Sequence, residues 1–154
     1  MRHLICAICV LAIPSLSVQA ENEGERQTVQ KMSGAENGLQ YLLYLPENYK
    51  PTESWPFVLF LHGSGERGTK IESVKKHGPP KLVAAGRQFP FILASPQCPR
   101  DKRWDSEQLG ELIRQVEEKY SVDKDRIYVT GLSMGGAGTW ALVASDPDRF
   151  AAIA

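Results

Sequence analysis

A serine lies at the centre of a glycine-flanked pentapeptide that is typical of nucleophilic catalysis. Gly131, Ser133 and Gly135 form the pattern G-x-S-x-G, in which a sharp turn between a strand and a helix exposes the serine hydroxyl. Side chains at positions 131 and 135 would collide with neighbouring backbone in such a turn, which explains the glycines. The required context is present, because residues 126–130 are typical of a buried strand and residues 134–145 of a helix. The pattern predicts that Ser133 attacks a carbonyl group.

A second glycine-rich segment offers donors for the charge that such an attack creates. Acyl transfer to a serine builds negative charge on the carbonyl oxygen, so hydrogen-bond donors must already point at it. One donor is the backbone N–H of Met134, and the other comes from a loop after an earlier strand, here residues 62–65. We expect the N–H of Ser64 in this role, with Gly63 as the alternative. His62 is interpreted as a hydrogen-bonding support of the loop and not as a catalytic base.

The same loop also matches a nucleotide-binding pattern. Three glycines in residues 63–68 satisfy G-x-G-x-x-G, but a dinucleotide site needs a helix after them and an acid about 20 residues later. Gly-Pro-Pro at residues 78–80 is expected to interrupt that helix, and no acid lies between Glu72 and Asp101. Residues 68–70 read Gly-Thr-Lys and not the Gly-Lys-Ser/Thr of a P-loop. We therefore expect no cofactor, and no cluster has metal-ligand spacing, so we expect no metal.

The elements that must position these residues alternate between strand and helix. Apolar side chains from Leu109 to Tyr120 recur at helical spacing, and Asp105 is a suitable N-cap. Such alternation predicts an α/β fold with a mostly parallel sheet covered by helices on both faces. Five short runs rich in aromatic and branched residues are predicted strands: residues 40–45, 56–61, 91–94, 126–130 and 150–154.

The first twenty residues have the pattern of an export signal. Arg2 precedes an apolar run at residues 4–13, and small side chains end at Ala20 before a polar stretch. The run is shorter than the roughly 20 residues of a membrane-spanning helix. We expect cleavage before Glu21, export to the periplasm or the medium, and no membrane span in the mature chain. Cys98 is then the only cysteine of the mature residues, and it is interpreted as filling core volume or pairing with a cysteine outside them.

Charge and length bound the remaining possibilities. The 154 residues carry 18 Lys+Arg and 18 Asp+Glu, and 42% of them are hydrophobic, which is enough for the core of one domain. Without a basic field to attract phosphate backbones, we expect no nucleic-acid partner. Residues 21–154 are assigned to a single domain, since no repeat or linker divides them.

Four segments together resemble one branch of the α/β-hydrolases. They are residues 61–68, 95–99, 104–105 and 126–136, within a resemblance that spans residues 39–154. The branch is the secreted group related to polyhydroxybutyrate depolymerases, feruloyl and acetylxylan esterases, and prolyl-oligopeptidase-like hydrolases. The resemblance implies an α/β-hydrolase fold with Ser133 as nucleophile and an oxyanion hole formed by Gly63, Ser64 and Met134. It does not fix the substrate, because this fold acts on many esters and amides.

One part of the family pattern is not found in these 154 residues. The triad of this fold follows the chain order serine, acid, histidine, and no histidine follows Ser133. His62 and His77 precede it, while Asp146 and Asp148 are interpreted as helix-end residues. We therefore expect an N-terminal part of a longer enzyme, with the acid and the histidine downstream, and we expect residues 1–154 alone to be inactive and poorly folded.

The leading hypothesis is a secreted serine hydrolase that cleaves carboxylic esters through an acyl-enzyme on Ser133. The alternatives are a serine peptidase on the same scaffold, which would take a peptide substrate, and a non-catalytic binding module. Trp104 is a candidate for lining the acyl or alcohol pocket, and packing at a helix start is its other interpretation. Glu66 and Arg67 are expected to pair on a surface loop, with substrate contact as the alternative, and Trp140 is expected in the core. The residues predict no oligomeric state.

Overall fold

A computed structural model describes residues 26–34 and 38–154, so the expected export signal lies outside the described residues. The strands are β1 (Thr28–Lys31), β2 (Gln40–Tyr44), β3 (Trp55–Leu61), β4 (Ile92–Pro96), β5 (Val122–Gly131) and β6 (Ala152–Ile153). The α-helices are α1 (Gly78–Ala84), α2 (Ser106–Lys119) and α3 (Met134–Ser145), with 3-10 helices at Ser64–Glu66, Ile71–Lys76 and Pro147–Arg149. None of the helices in this described part is long and apolar enough to cross a membrane.

The described strands form one mixed sheet in the order β1-β2-β4-β3-β5-β6. Strand β3 runs parallel to both β4 and β5, β5 runs parallel to β6, and β2 is antiparallel to β1 and β4. Leu61 at the end of β3 lies in register with Gly131 at the end of β5. The chain therefore leaves both central strands at the same edge of the sheet, where ligand sites of parallel α/β sheets occur. The predicted α/β class with a mostly parallel sheet is confirmed.

Helices cover both faces of the sheet because successive strand residues point to opposite sides. On one face Leu59 of β3 and Ile92 of β4 pack in the larger core cluster, to which α2 and α3 contribute. On the other face Phe60 and Leu93 pack with Val83 of α1. The alternation along β3 and β4 thus assigns each helix to a face.

Local signals determine the bounds of α2. The Asp105 carboxylate accepts a hydrogen bond from the backbone N–H of Gln108 at 2.8 Å, so the predicted N-cap is present. Such a cap contributes about 1 kcal/mol. The buried positions are Leu109, Leu112, Ile113 and Val116, which lie on one stripe of the helix.

Three local features differ from the predictions. The edge strand β1 has no apolar alternation to reveal it, and its residues are exposed apart from one half-buried position. The helix α1 was not predicted: the 3-10 helix Ile71–Lys76 does end before Gly78, but the prolines at 79 and 80 lie in the first turn of a new helix, where no N–H donor is needed. Trp140 is 69% exposed, so the expectation that it lies in the core is wrong.

Candidate active site

Ser133 occupies the turn between β5 and α3 in a backbone conformation that is rare for a side-chain-bearing residue. Its φ is +54° and its ψ is −109°, and Asp101 is the other described non-glycine residue with a positive φ. Such a conformation costs on the order of 1–3 kcal/mol, and residues held in this way cluster at functional sites. The turn leaves Ser133 exposed. The strand, turn and helix around it have the arrangement that the motif requires.

The two motif glycines allow the chain to pass close to itself. A Cβ atom on Gly131 would lie 2.2 Å from the carbonyl carbon of Gly135. A Cβ atom on Gly135 would lie 1.8 Å from the carbonyl oxygen of Leu61. Neither distance is compatible with a side chain. The start of α3 can therefore pack against the end of β5 only with glycine at 131, and against the end of β3 only with glycine at 135.

Ser133 lines a cavity of about 400 Å³ together with two candidate hydrogen-bond donors, Ser64 and Met134. Ser64 is the first residue of a 3-10 helix, and Met134 is the first residue of α3. The first N–H groups of a helix have no acceptor within that helix. The positive end of the α3 dipole further favours negative charge at this position. The arrangement therefore offers backbone donors beside the serine.

Gly63 packs against the serine turn. A Cβ atom built on Gly63 would be 3.4 Å from the carbonyl oxygen of Leu132 and 3.9 Å from Cβ of Ser133. Its own carbonyl accepts the N–H of Glu66 at 3.4 Å. Gly63 is thus a packing contact between the two glycine-rich segments, whereas Ser64 lines the cavity.

His62 is buried beneath the loop, with both ring nitrogens in use. The backbone N–H of Cys98 donates to Nε2 at 3.0 Å, so this nitrogen is unprotonated. In the neutral ring Nδ1 then carries the proton, and it donates to the carbonyl of Gly63 at 2.6 Å. Neither nitrogen is free to take a proton from Ser133. His62 supports the loop, in agreement with its interpretation from the sequence.

Burial lowers the pKa of His62, and the hydrogen bond to the Gly63 carbonyl and the charge of Glu66 only partly oppose this effect. A group whose pKa is lower in the folded state binds fewer protons there than in the unfolded chain, whose histidine has a pKa of about 6.5. In the full-length protein, we expect the free energy of unfolding to fall as the pH drops below about 6.5. In His62→Gln, whose side-chain oxygen can still accept the Cys98 N–H, urea titrations should show a weaker dependence between about pH 5 and 6.5. If the free energy of unfolding changed equally with pH in the wild type and in His62→Gln, the pH dependence could not be attributed to His62.

Cys98 is a free, buried cysteine at the end of this hydrogen-bond network. Burial raises the pKa of its thiol, so the reactive thiolate is disfavoured. Its backbone carbonyl accepts the N–H of Gly68 at 3.0 Å, which links it to the glycine-rich loop. The interpretation of Cys98 as core volume fits this environment.

Glu66 and Arg67 do not form the expected surface pair. The Glu66 side chain is 8% exposed and points inward, with Oε2 at 3.9 Å from Nδ1 of His62 and Oε1 at 3.7 Å from Nε2 of His77. Arg67 donates to backbone carbonyls instead. A 3-10 helix turns by about 120° per residue, so the side chains of successive positions diverge. The amino-acid composition of the loop does not reveal the 3-10 helix Ser64–Glu66, so the sequence did not predict that the side chains of Glu66 and Arg67 point apart.

Trp104 both packs against its neighbours and lines a cavity. Its Nε1–H donates to the carbonyl of His62 at 3.2 Å, and its ring lies edge-on to the His62 ring at 4.9 Å between centroids. A Cβ atom on Gly138 would lie 2.7 Å from Trp104, so the glycine makes room for the indole on α3. A cavity of about 190 Å³ beside the serine cavity is lined by Arg103, Trp104, Met134, Ala137, Gly138 and Ala141.

Asp146 and Asp148 lie at the end of α3 that is remote from Ser133. Asp146 is the C-cap of the twelve-residue helix, which places it about 18 Å along the axis from the start of α3. Its carboxylate pairs with Arg149 at 3.5 Å. Neither His62 nor His77 lines the cavity with Ser133. Among residues 26–34 and 38–154, no group of three His, Cys, Asp or Glu side chains is placed to hold a metal ion.

A mostly parallel sheet and a strained serine turn between a central strand and a helix define the class of this protein as an α/β-hydrolase. The chain belongs to the esterase family described as "Putative esterase", whose model matches residues 34–154.

Individual relatives point to the same branch. "Probable feruloyl esterase C" of Aspergillus flavus is 25% identical over an alignment of 123 residues that covers 76% of this chain and 45% of the relative. "Poly(3-hydroxyalkanoate) depolymerase C" of Paucimonas lemoignei is 28% identical over 168 residues, covering 98% of this chain and 37% of the relative. The chain thus spans less than half the length of each. The solved structure of a thermostable esterase superposes with a TM-score of 0.66 at 29% identity, covering 85% of this chain and 40% of that structure. These matches confirm the resemblance to the esterase branch of the α/β-hydrolases.

Proposed function

We propose that this protein is an exported serine hydrolase that cleaves carboxylic esters through an acyl-enzyme on Ser133. The observation that supports this proposal best is the strained, exposed Ser133 in one cavity with Ser64 and Met134. The names of the relatives, which include a feruloyl esterase and a poly(3-hydroxyalkanoate) depolymerase, favour an ester over a peptide as the substrate.

The reaction that these groups support is acyl transfer. The Ser133 Oγ attacks the ester carbonyl carbon, and the carbonyl oxygen becomes negatively charged in the tetrahedral intermediate. The N–H groups of Ser64 and Met134 donate to that oxygen, and a single donor of this kind contributes about 3–4 kcal/mol of transition-state stabilisation. The alcohol then leaves with a proton, and water releases the acid from the acyl-enzyme.

A general base has to accept the Ser133 proton in this reaction. His62 has no free ring nitrogen, and His77 faces Glu66. Because the triad of the fold runs from serine to acid to histidine, the proposal places the acid and the histidine downstream of residue 154. Export rests on the pattern of residues 1–20.

Labelling with a fluorophosphonate tests the nucleophile directly. Incubation of the folded full-length protein with this probe should modify Ser133, because the strained turn exposes its hydroxyl next to N–H donors. Trypsin releases residues 127–149 as one peptide that contains both Ser133 and Ser145. Fragmentation of this peptide in the mass spectrometer should place the label on Ser133, with Ser145 as the internal control. A label found elsewhere, or only after denaturation, would refute the assignment.

A further inference from the structure

Two arginines line the cavity with Ser133. Among residues 26–34 and 38–154, the lining includes Arg67 and Arg103 and no acidic side chain. Arg67 follows β3 in the glycine-rich loop, and Arg103 lies in the loop that joins β4 to α2. The two cations thus come from separate loops that meet at the serine.

The Arg67 side chain is held in place by neutral acceptors. Its Nε–H donates to the carbonyl of Ser64 at 3.1 Å, and one terminal N–H donates to the carbonyl of Lys102 at 3.2 Å. These bonds connect the loop after β3 with the loop after β4 and orient the guanidinium. Backbone carbonyls do not neutralise its charge, so an oriented positive charge is left at the wall of the cavity.

Neither Arg67 nor Arg103 is paired with an acidic side chain in the part of the chain that the structure describes. Glu66 is turned into the protein toward His62 and His77. The ion pairs found among residues 26–34 and 38–154 include neither Arg67 nor Arg103. Arg103 is exposed and also lines the neighbouring cavity with Trp104. An anion in the serine cavity would therefore meet two arginines and, among the described residues, no competing carboxylate.

We infer that the ester hydrolysed at Ser133 carries a carboxylate group, which Arg67 and Arg103 bind in this cavity. The inference rests on the proposed ester hydrolysis and names its substrate class. Guanidinium groups match the planar geometry of a carboxylate and can donate to it in pairs. A carboxylate with a pKa of about 4 is ionised at neutral pH. The positive cavity also favours the arrival of an anionic substrate over a neutral one.

Matched ester pairs test this inference in the full-length protein. The mono-4-nitrophenyl ester of succinic acid and 4-nitrophenyl butyrate differ chiefly by a carboxylate on the acyl side. The acetate esters of 4-hydroxybenzoate and 4-hydroxybenzamide differ by a carboxylate on the alcohol side. In at least one pair we expect kcat/KM to be about tenfold higher for the anionic ester, because a hydrogen bond to a charged group contributes at least that factor. The preference should shrink in about 1 M NaCl, where the Debye length is about 3 Å.

Substitutions assign the preference to the arginines. Arg103→Gln should reduce the ratio of anionic to neutral kcat/KM to a value near one, and Arg103→Lys should retain part of it. The control is Arg100→Gln, which removes the same charge from the same loop at a position that does not line the cavity. This control should leave the ratio unchanged.

The outcomes separate this inference from the proposed function. Equal turnover of both members in both pairs, with Ser133 still labelled by the fluorophosphonate, would overturn the anionic substrate and leave the esterase intact. An anionic preference that survives in both Arg103→Gln and Arg67→Gln would also overturn it, because other groups would then bind the carboxylate. No hydrolysis of any ester and no label on Ser133 would reject the proposed function itself.

Discussion

Replacement of Ser133 by alanine is expected to lower kcat/KM for 4-nitrophenyl butyrate by about a millionfold in the full-length protein. Losses of this size occur when the nucleophile of a serine triad is removed. Without the hydroxyl no acyl-enzyme forms, and only the oxyanion-hole donors still assist hydrolysis by water. The side chain is exposed, and its hydroxyl makes no hydrogen bond within residues 26–34 and 38–154. The variant should therefore retain its circular dichroism spectrum and its melting temperature, while steady-state kinetics report the loss.

The matched control is Ser145→Ala at the opposite end of α3. The Ser145 hydroxyl donates to the carbonyl of Leu142 at 2.7 Å, which is a local contact remote from the cavity. Its removal should leave kcat/KM within about twofold, because surface substitutions outside special features have small effects. A Ser133→Ala variant within tenfold of the wild type would exclude Ser133 as the nucleophile. Faster turnover of a peptide 4-nitroanilide than of any ester would favour the peptidase alternative.

Local sequence signals account for the elements that were predicted most closely. The helix α3 occupies residues 134–145 as predicted, because a motif glycine and Asp-Pro mark its two ends. The helix α2 carries both a side-chain cap and an apolar stripe. The edge strand β1 has neither kind of signal, although it pairs with β2, the next strand along the chain. Trp140 lies on a helix that is apolar around most of its surface, so periodicity does not reveal its exposed side.

The sequence predicted the serine turn, whose geometry is encoded by the five adjacent residues 131–135. It did not predict the parts of the site that form where separate loops meet. The turn at Ser133 follows from glycines at 131 and 135, which the pentapeptide displays directly. The inward direction of Glu66 depends on a 3-10 turn and on His77, eleven positions later. Arg103 joins the cavity because β4 lies beside β3 in the sheet. Only a prediction of strand order would have placed that residue near the serine.

The substitution Gly135→Ala is expected to lower the free energy of unfolding by about 3 kcal/mol or more, because a new methyl group has no space at this position. Its Cβ would lie 1.8 Å from the carbonyl oxygen of Leu61 and 2.9 Å from that of His62. Both neighbours are backbone atoms at the end of β3, so no side-chain rotation can relieve the overlap. Either α3 or the loop that carries Ser64 has to move, and urea unfolding of the full-length protein measures the cost.

The next residue supplies a control with opposite sign. A Cβ atom on Gly136 would find its nearest neighbour, the carbonyl oxygen of Gly131, at 3.5 Å, which is an ordinary contact. Since alanine is favoured over glycine inside a helix, Gly136→Ala should leave stability unchanged or raise it by up to about 1 kcal/mol. The two variants add the same methyl group to adjacent residues, so helix propensity cancels in the comparison. If Gly135→Ala and Gly136→Ala were equally stable, the start of α3 and the end of β3 would have room for a methyl group at residue 135. A destabilised Gly135→Ala variant with a stable Gly136→Ala variant would attribute the effect to the single contact that holds the serine turn against the loop beside it.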